Sequence, residues 1–152
     1  EGIGVEMVSS GETFTIDVAA TIPGVTEVEG GTYALGGTKY FYMEGYRMAN
    51  TVMGTVISTP RSGVAIGDVG LFALSWQGAD SVEGYSDVTV AELLDHHIVL
   101  KSDGDMPLEV GDKFVLLPWY QDMMVNRWDE YIAVRNGVVE EVWDIPARGC
   151  TQ

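Results

Sequence analysis

The chain has one cysteine, two histidines and eight basic residues among 152, and each scarcity removes a class of function. Cys150 has no second cysteine to pair with, so no internal disulfide staples the fold, and the open roles for its thiol are an idle group or an intermolecular bridge. The histidines are adjacent, at His96 and His97, and adjacent side chains diverge on a strand or on a helical turn. Two such side chains do not share a metal, and Glu92 and Asp95 are the only further ligands nearby. The plain reading places one histidine inward and one on the surface. Against the eight basic residues stand 23 acidic ones, for a formal charge of -15, which repels phosphate backbones and argues against nucleic-acid binding. No apolar run approaches the roughly 18 to 20 residues of a membrane span. The first residue is Glu1 and not methionine, which is read as a processed or trimmed product.

Catalytic signatures are missing as well. No G-x-S-x-G nucleophile motif is present, and Gly30-Gly31 and Gly36-Gly37 do not lead into a lysine-bearing helix start. Glu140-Glu141 alternate across a strand and face apart. Asp103-Gly104-Asp105 with Glu109 resembles a fragment of a calcium loop, but Met106-Pro107-Leu108 interrupt it, and a β-turn is the better reading. No cofactor or metal site is expected.

What is present is a β pattern. With 46% hydrophobic residues the chain is too apolar to be disordered, and its length suits one domain with a sizeable core. Short apolar runs alternate with glycine and polar turns, and no long segment carries the helical period. The organising stretch is Pro107 to Tyr120, where the Gly111-Asp112 turn feeds the β-favouring run Lys113–Leu117 and Pro118 ends central pairing. A weaker copy runs from Ile66-Gly67-Asp68 into a predicted strand Leu71–Trp76. Further strands are expected at Ile3–Val8, Thr13–Ala19, Thr51–Ser58, Val64–Gly67, Asp87–Ala91, Glu130–Arg135 and Val138–Trp143, with short β-like pieces at Val25–Val28 and Thr32–Leu35. Ala91–Leu100 reads equally as a helical turn and as a strand. Asn136-Gly137 between two apolar runs is a strong hairpin signal. The expected fold is a single all-β domain of residues 1–152, a barrel or sandwich of about ten short strands. Residues 46–146 form its core, and 1–45 form an arm or extra strands.

Two segments carry more apolar side chains than their place requires. Lys39–Tyr46 holds Tyr40, Phe41, Tyr42, Met43 and Tyr46, read as an aromatic strand. The loop Gln121–Trp128 holds Met123, Met124, Val125 and Trp128 around Arg127, residue types enriched at protein interfaces. That loop is either an interface or a lid folded back on the barrel end. Tyr40, Tyr42, Tyr46, Met123, Met124, Arg127 and Trp128 are therefore the candidate interface residues.

Gly54-Thr55-Val56-Ile57-Ser58-Thr59-Pro60, Leu108–Leu117 and Tyr131-Ile132-Ala133-Val134 together are similar to strands of small OB-like phage tail and baseplate proteins. The resemblance spans residues 54–134 and implies a non-enzymatic assembly part of a tail, a baseplate or a related injection machine. A capsid cement or decoration protein fits the same surface features and the glycine-rich N-terminal segment. The expected partners are proteins or further copies of the chain, met through Tyr40–Tyr46, Met123–Trp128 and the glycine-rich 24–37 arm. Charge and hydropathy argue against nucleic acid and membrane, and the expected address is virion or extracellular. The alternative from the residues is a secreted acidic β-domain binding sugar or another small ligand on Tyr40, Tyr42, Trp119 and Trp128, with calcium as a stiffener of its loops. An enzyme is the third class, without a nameable catalytic set.

Overall fold

The computed structural model describes residues 4–150; Glu1 to Ile3, which include the first residue of the expected Ile3–Val8 strand, lie outside that range, as do Thr151 and Gln152. Six antiparallel strands close into a barrel: β1 (Val52–Arg61), β2 (Val64–Gly67), β3 (Ala79–Val82), β4 (Tyr85–Leu93), β5 (Ile98–Ser102) and β6 (Lys113–Pro118). Their order around the ring is β1-β2-β5-β4-β3-β6. The all-β expectation holds, and closure decides for a barrel. β1 makes closure possible because it is long enough to serve two neighbours. Its first residues, Val52 to Thr55, pair with β6, and its later ones, Val56 to Arg61, pair with β2 across two register shifts. Such shifts are how a strand bends around a small barrel.

Alternation sets the interior. Val52, Gly54 and Val56 of β1, Ile98 and Leu100 of β5, and Phe114 and Leu116 of β6 point inward and are buried. Val69, Leu74, Leu108 and Met124 join the same cluster from the connecting segments. Burying a side chain of this size contributes on the order of 1.5–3 kcal/mol, so these residues dominate the stability of the ring.

Several expected strands take other forms. Thr13–Ala19 has the alternation of a strand, yet Ile16–Ala19 is a short helix, α1, joined to the preceding turn by Ala19 N–H to Thr15 O at 2.8 Å. No neighbouring strand offers it a ladder, so local hydrogen bonds win. The aromatic segment 39–46 is not a strand either. Thr38–Tyr40 is one turn of 3₁₀ helix followed by turns, and Tyr40 and Tyr46 pack together with ring centroids 5.7 Å apart. The Thr32–Leu35 piece also begins as a 3₁₀ turn, and Val25–Val28 contributes a single bridge, Ser9 to Glu27. Leu71–Trp76 is a coiled turn: Ala73 and Leu74 both donate to Gly70 O, and the backbone of Gly70 sits against the carbonyls of Leu94 and Asp95. Ala91–Leu100 resolves into the end of β4, a turn, and the start of β5. Thr59 and Pro60, expected to end a strand, lie within β1.

Beyond the ring, α2 (Asp122–Val125) leads to a hairpin, β7 (Glu130–Arg135) and β8 (Val138–Asp144), which forms a separate two-stranded sheet. Asn136 and Gly137 take φ of 52° and 76°, the left-handed pair a tight hairpin turn demands.

Candidate functional site at the end of strand β6

Proline ends β6 at Pro118, and the chain then presents Trp119, Tyr120, Gln121 and Asp122 in succession at one end of the barrel. Gly37 and the turn after it lie directly against this segment. A β-carbon on Gly37 would come within 2.7 Å of Trp119 O, so only glycine permits the approach. The approach brings in Lys39. Its Nζ lies 4.0 Å from the Tyr120 ring centroid, 4.7 Å from Tyr40 and 5.5 Å from Trp119. Three aromatic rings thus hold one ammonium, an arrangement favoured by the negative faces of the rings.

The polar groups here are tied into one chain of contacts. Tyr120 Oη donates to Asp122 Oδ2, and Gln121 Nε2 donates to Asp122 Oδ1 at 2.8 Å. The carboxylate pushes the Tyr120 hydroxyl up to about 12, with burial adding to the effect, so the phenol keeps its proton at any ordinary pH. Gln121 is 1% exposed and its Oε1 has no partner. Across the way, Thr38 Oγ1 donates to Asp80 Oδ2 at 2.6 Å. Asp80, Trp76, Gln77 and Trp119 line an open cavity of about 310 Å³. A second cavity, about 280 Å³, lies on the far side among Arg61, Ser62, Asp105 and Glu109.

Of the expected interface residues, the fold separates more than it gathers. Tyr40 and Met124 are buried within the chain, while Tyr42 is 73% exposed. Burial raises the Tyr46 hydroxyl above its ordinary range. Met123 and Arg127 face outward, and Trp128 Nε1 donates to Ala73 O at 2.8 Å, which ties the loop to the barrel. Of the expected platform, Tyr40 and Trp119 meet on the Lys39 ammonium, with Tyr40 buried, while Tyr42 stands exposed and Trp128 is tied to Ala73. Both histidines are exposed on the β4–β5 turn, with His96 stacked on Phe72, so the inward histidine of the sequence reading is not found. Among the described residues no three His, Cys, Asp or Glu side chains converge. Sequence reasoning missed Lys39, Asp80, Tyr120, Gln121 and Asp122. The available signal was the W-Y-Q-D run placed just after a strand-ending proline.

Residues 49–134, more than half of the chain, match the model of the putative serine dehydratase domain. The chain belongs to that family. Curated relatives agree with it. The chain is 34% identical to 3-hydroxy-D-aspartate aldolase of Paracoccus denitrificans, with 98% of this chain and 41% of the aldolase covered. It is 29% identical to D-threonine aldolase of an Arthrobacter species, covering 97% and 41%. Among solved structures, D-threonine aldolase from Filomicrobium marinum superposes with a TM-score of 0.92 at 26% identity, over 99% of this chain and 43% of that one. D-threo-3-hydroxyaspartate dehydratase from Delftia sp. HT23 shares the fold, with a TM-score of 0.79 at 24% identity over 94% and 45%. The chain therefore spans less than half the length of these relatives.

Membership in the serine dehydratase domain family corrects the functional expectations. The likeness to phage tail and baseplate proteins rested on strand phrases that recur in small barrels, and it does not survive a family match over nearly the same residues. The non-enzymatic virion part and the sugar-binding module fall with it, because the family is a dehydratase domain and the relatives are aldolases. The virion or extracellular address had no other support, and the relatives are bacterial enzymes.

Proposed function

We propose that this chain is the barrel-bearing portion of an enzyme that cleaves or dehydrates 3-hydroxy D-amino acids. The observation that carries the reading is the superposition on D-threonine aldolase over 99% of the chain. The 34% identity to 3-hydroxy-D-aspartate aldolase supports it.

Aldol cleavage of such a substrate breaks the Cα–Cβ bond and leaves an electron pair on Cα; dehydration begins by taking the Cα proton. Either reaction calls for an electron sink such as pyridoxal phosphate, held through a lysine. The three lysines of this chain do not fit that task. Lys39 is enclosed by aromatic rings, Lys101 is exposed on the barrel wall, and Lys113 donates to Thr55 Oγ1 at 2.6 Å. No lysine lines either cavity. The lysine that would hold such a group thus belongs to the part of such an enzyme outside this chain, and the barrel end supplies groups that bind and orient. Lys39 sets a fixed positive charge behind the Trp119 ring that lines the open cavity, a field that favours a carboxylate there, and 3-hydroxyaspartate has two. The Asp122 carboxylate, held in place by the Tyr120 hydroxyl and the Gln121 amide, supplies an oriented acceptor beside that charge.

The test is a chimera in which this chain replaces the matched segment of the Paracoccus aldolase. D-Threonine and 3-hydroxy-D-aspartate are supplied, and glycine with aldehyde is measured against 2-oxo acid with ammonia. The reading expects one of these product pairs. A soluble, cooperatively folded chimera that yields neither would sink it.

A further inference from the structure

The β7–β8 hairpin has two different faces. On one, Tyr131 and Ala133 are half-buried, and the Tyr131 hydroxyl is enclosed without a partner. The other carries the cross-strand pairs Ile132–Val142 and Val134–Val139. These four side chains are 56%, 49%, 60% and 58% exposed. A two-stranded sheet is marginal in water unless an apolar face is packed. Adjacent β-branched pairs open to solvent are the pattern of a surface awaiting a partner.

A second feature on the same face describes that partner. Glu130 pairs directly with Asp144 across the strands. Like charges set opposite each other destabilise a sheet, and neither carboxylate has a cation within ion-pair distance among the described residues. The face is thus an aliphatic centre with an uncompensated acidic end. A second copy of this chain suits it poorly, because two molecules of charge -15 would have to meet acid-rich surface to acid-rich surface. The relatives suggest a better occupant. This chain covers 41% of the Paracoccus aldolase, so more than half of such an enzyme lies outside it.

We infer that the Ile132, Val134, Val139 and Val142 face docks on the portion of the enzyme that this chain does not span, at an apolar patch edged by a basic side chain that meets Glu130 and Asp144. This inference rests on the proposed enzymatic function. The hairpin is then a clasp between barrel and catalytic portion.

The same chimera tests it by thermal unfolding and turnover. With the native hairpin, barrel and catalytic portion melt in one transition. In the Val134→Lys, Val142→Lys double variant the transitions separate and turnover falls by about tenfold or more. The isolated 152-residue chain with those substitutions reports whether the hairpin itself survives. Glu130→Lys is the second variant: it relieves the repulsion with Asp144, so the isolated chain melts no lower, while the chimera again comes apart. Two transitions with the native hairpin, or a single unshifted transition in both variants, would overturn the docking. One transition without turnover of either substrate leaves the docking standing and removes the functional reading instead.

Discussion

The Phe114 ring lies against Gly67, and a β-carbon on that glycine would run into it and into Ile98 Cγ2. Gly54 meets the same ring from β1, so one aromatic side chain fills the space that two strands leave by having no side chain. Phe114 is 2% exposed and hemmed in on all sides, and so has nowhere to retreat. Gly67→Ala is expected to cost about 1–3 kcal/mol through overpacking. Urea unfolding measures it; an unchanged midpoint would show that the ring can yield.

The paired methionines of α2 should behave as opposites. Met124 is 2% exposed and belongs to the barrel core, whereas Met123 faces solvent. Met124→Ala is expected to destabilise the chain by about 2–5 kcal/mol, and Met123→Ala by under about 0.5 kcal/mol. Equal losses would mean that Met123 is covered in solution.

Trp128 holds its loop through one bond, from Nε1 to Ala73 O. Trp128→Phe keeps an aromatic ring but removes the donor. The expected loss is about 1 kcal/mol, with faster amide exchange over residues 121–128. Unaltered exchange there would assign the tether to packing alone.

Alkaline titration tests the site. The Tyr120 hydroxyl is pushed up to about 12, first by its bond to Asp122 and then by burial. The folded chain therefore keeps a proton that the unfolded chain releases near the ordinary value of 10.0. Stability from this group is complete below that value and is lost as pH rises toward about 12. In Asp122→Ala the phenolate absorbance of one tyrosine should appear at lower pH, and the alkaline loss of stability should shrink. A titration curve identical to that of the native chain would remove Asp122 as the cause.

Much of the barrel is legible in the sequence because its signals are local. Lys113–Leu117, Val64–Gly67 and the hairpin about Asn136-Gly137 each carry their own alternation and turn residues. Reading failed where a strand-like pattern lacked a neighbour. Phe14, Ile16 and Val18 alternate well, yet α1 forms because hydrogen bonds within the segment were the ones available. Leu71–Trp76 failed for a related reason, since the close approach of Gly70 to Leu94 and Asp95 winds the chain into a turn. The site was illegible because it depends on Lys39 meeting Trp119 and Tyr120 across a long stretch of chain, and nothing near Lys39 announces it. The tail-protein likeness misled because its phrases describe how small barrels turn corners, which unrelated families share.

Closure of the ring has one further effect. A sealed cylinder offers no free row of amide and carbonyl groups, so it cannot be lengthened by an added strand. Among the described strands, only β7 and β8 keep such rows. If the chain is left without its partner, fibre growth or swapping between molecules would have to start from that hairpin. The same ribbon that we infer to join the enzyme together is then its point of failure when the parts are made separately.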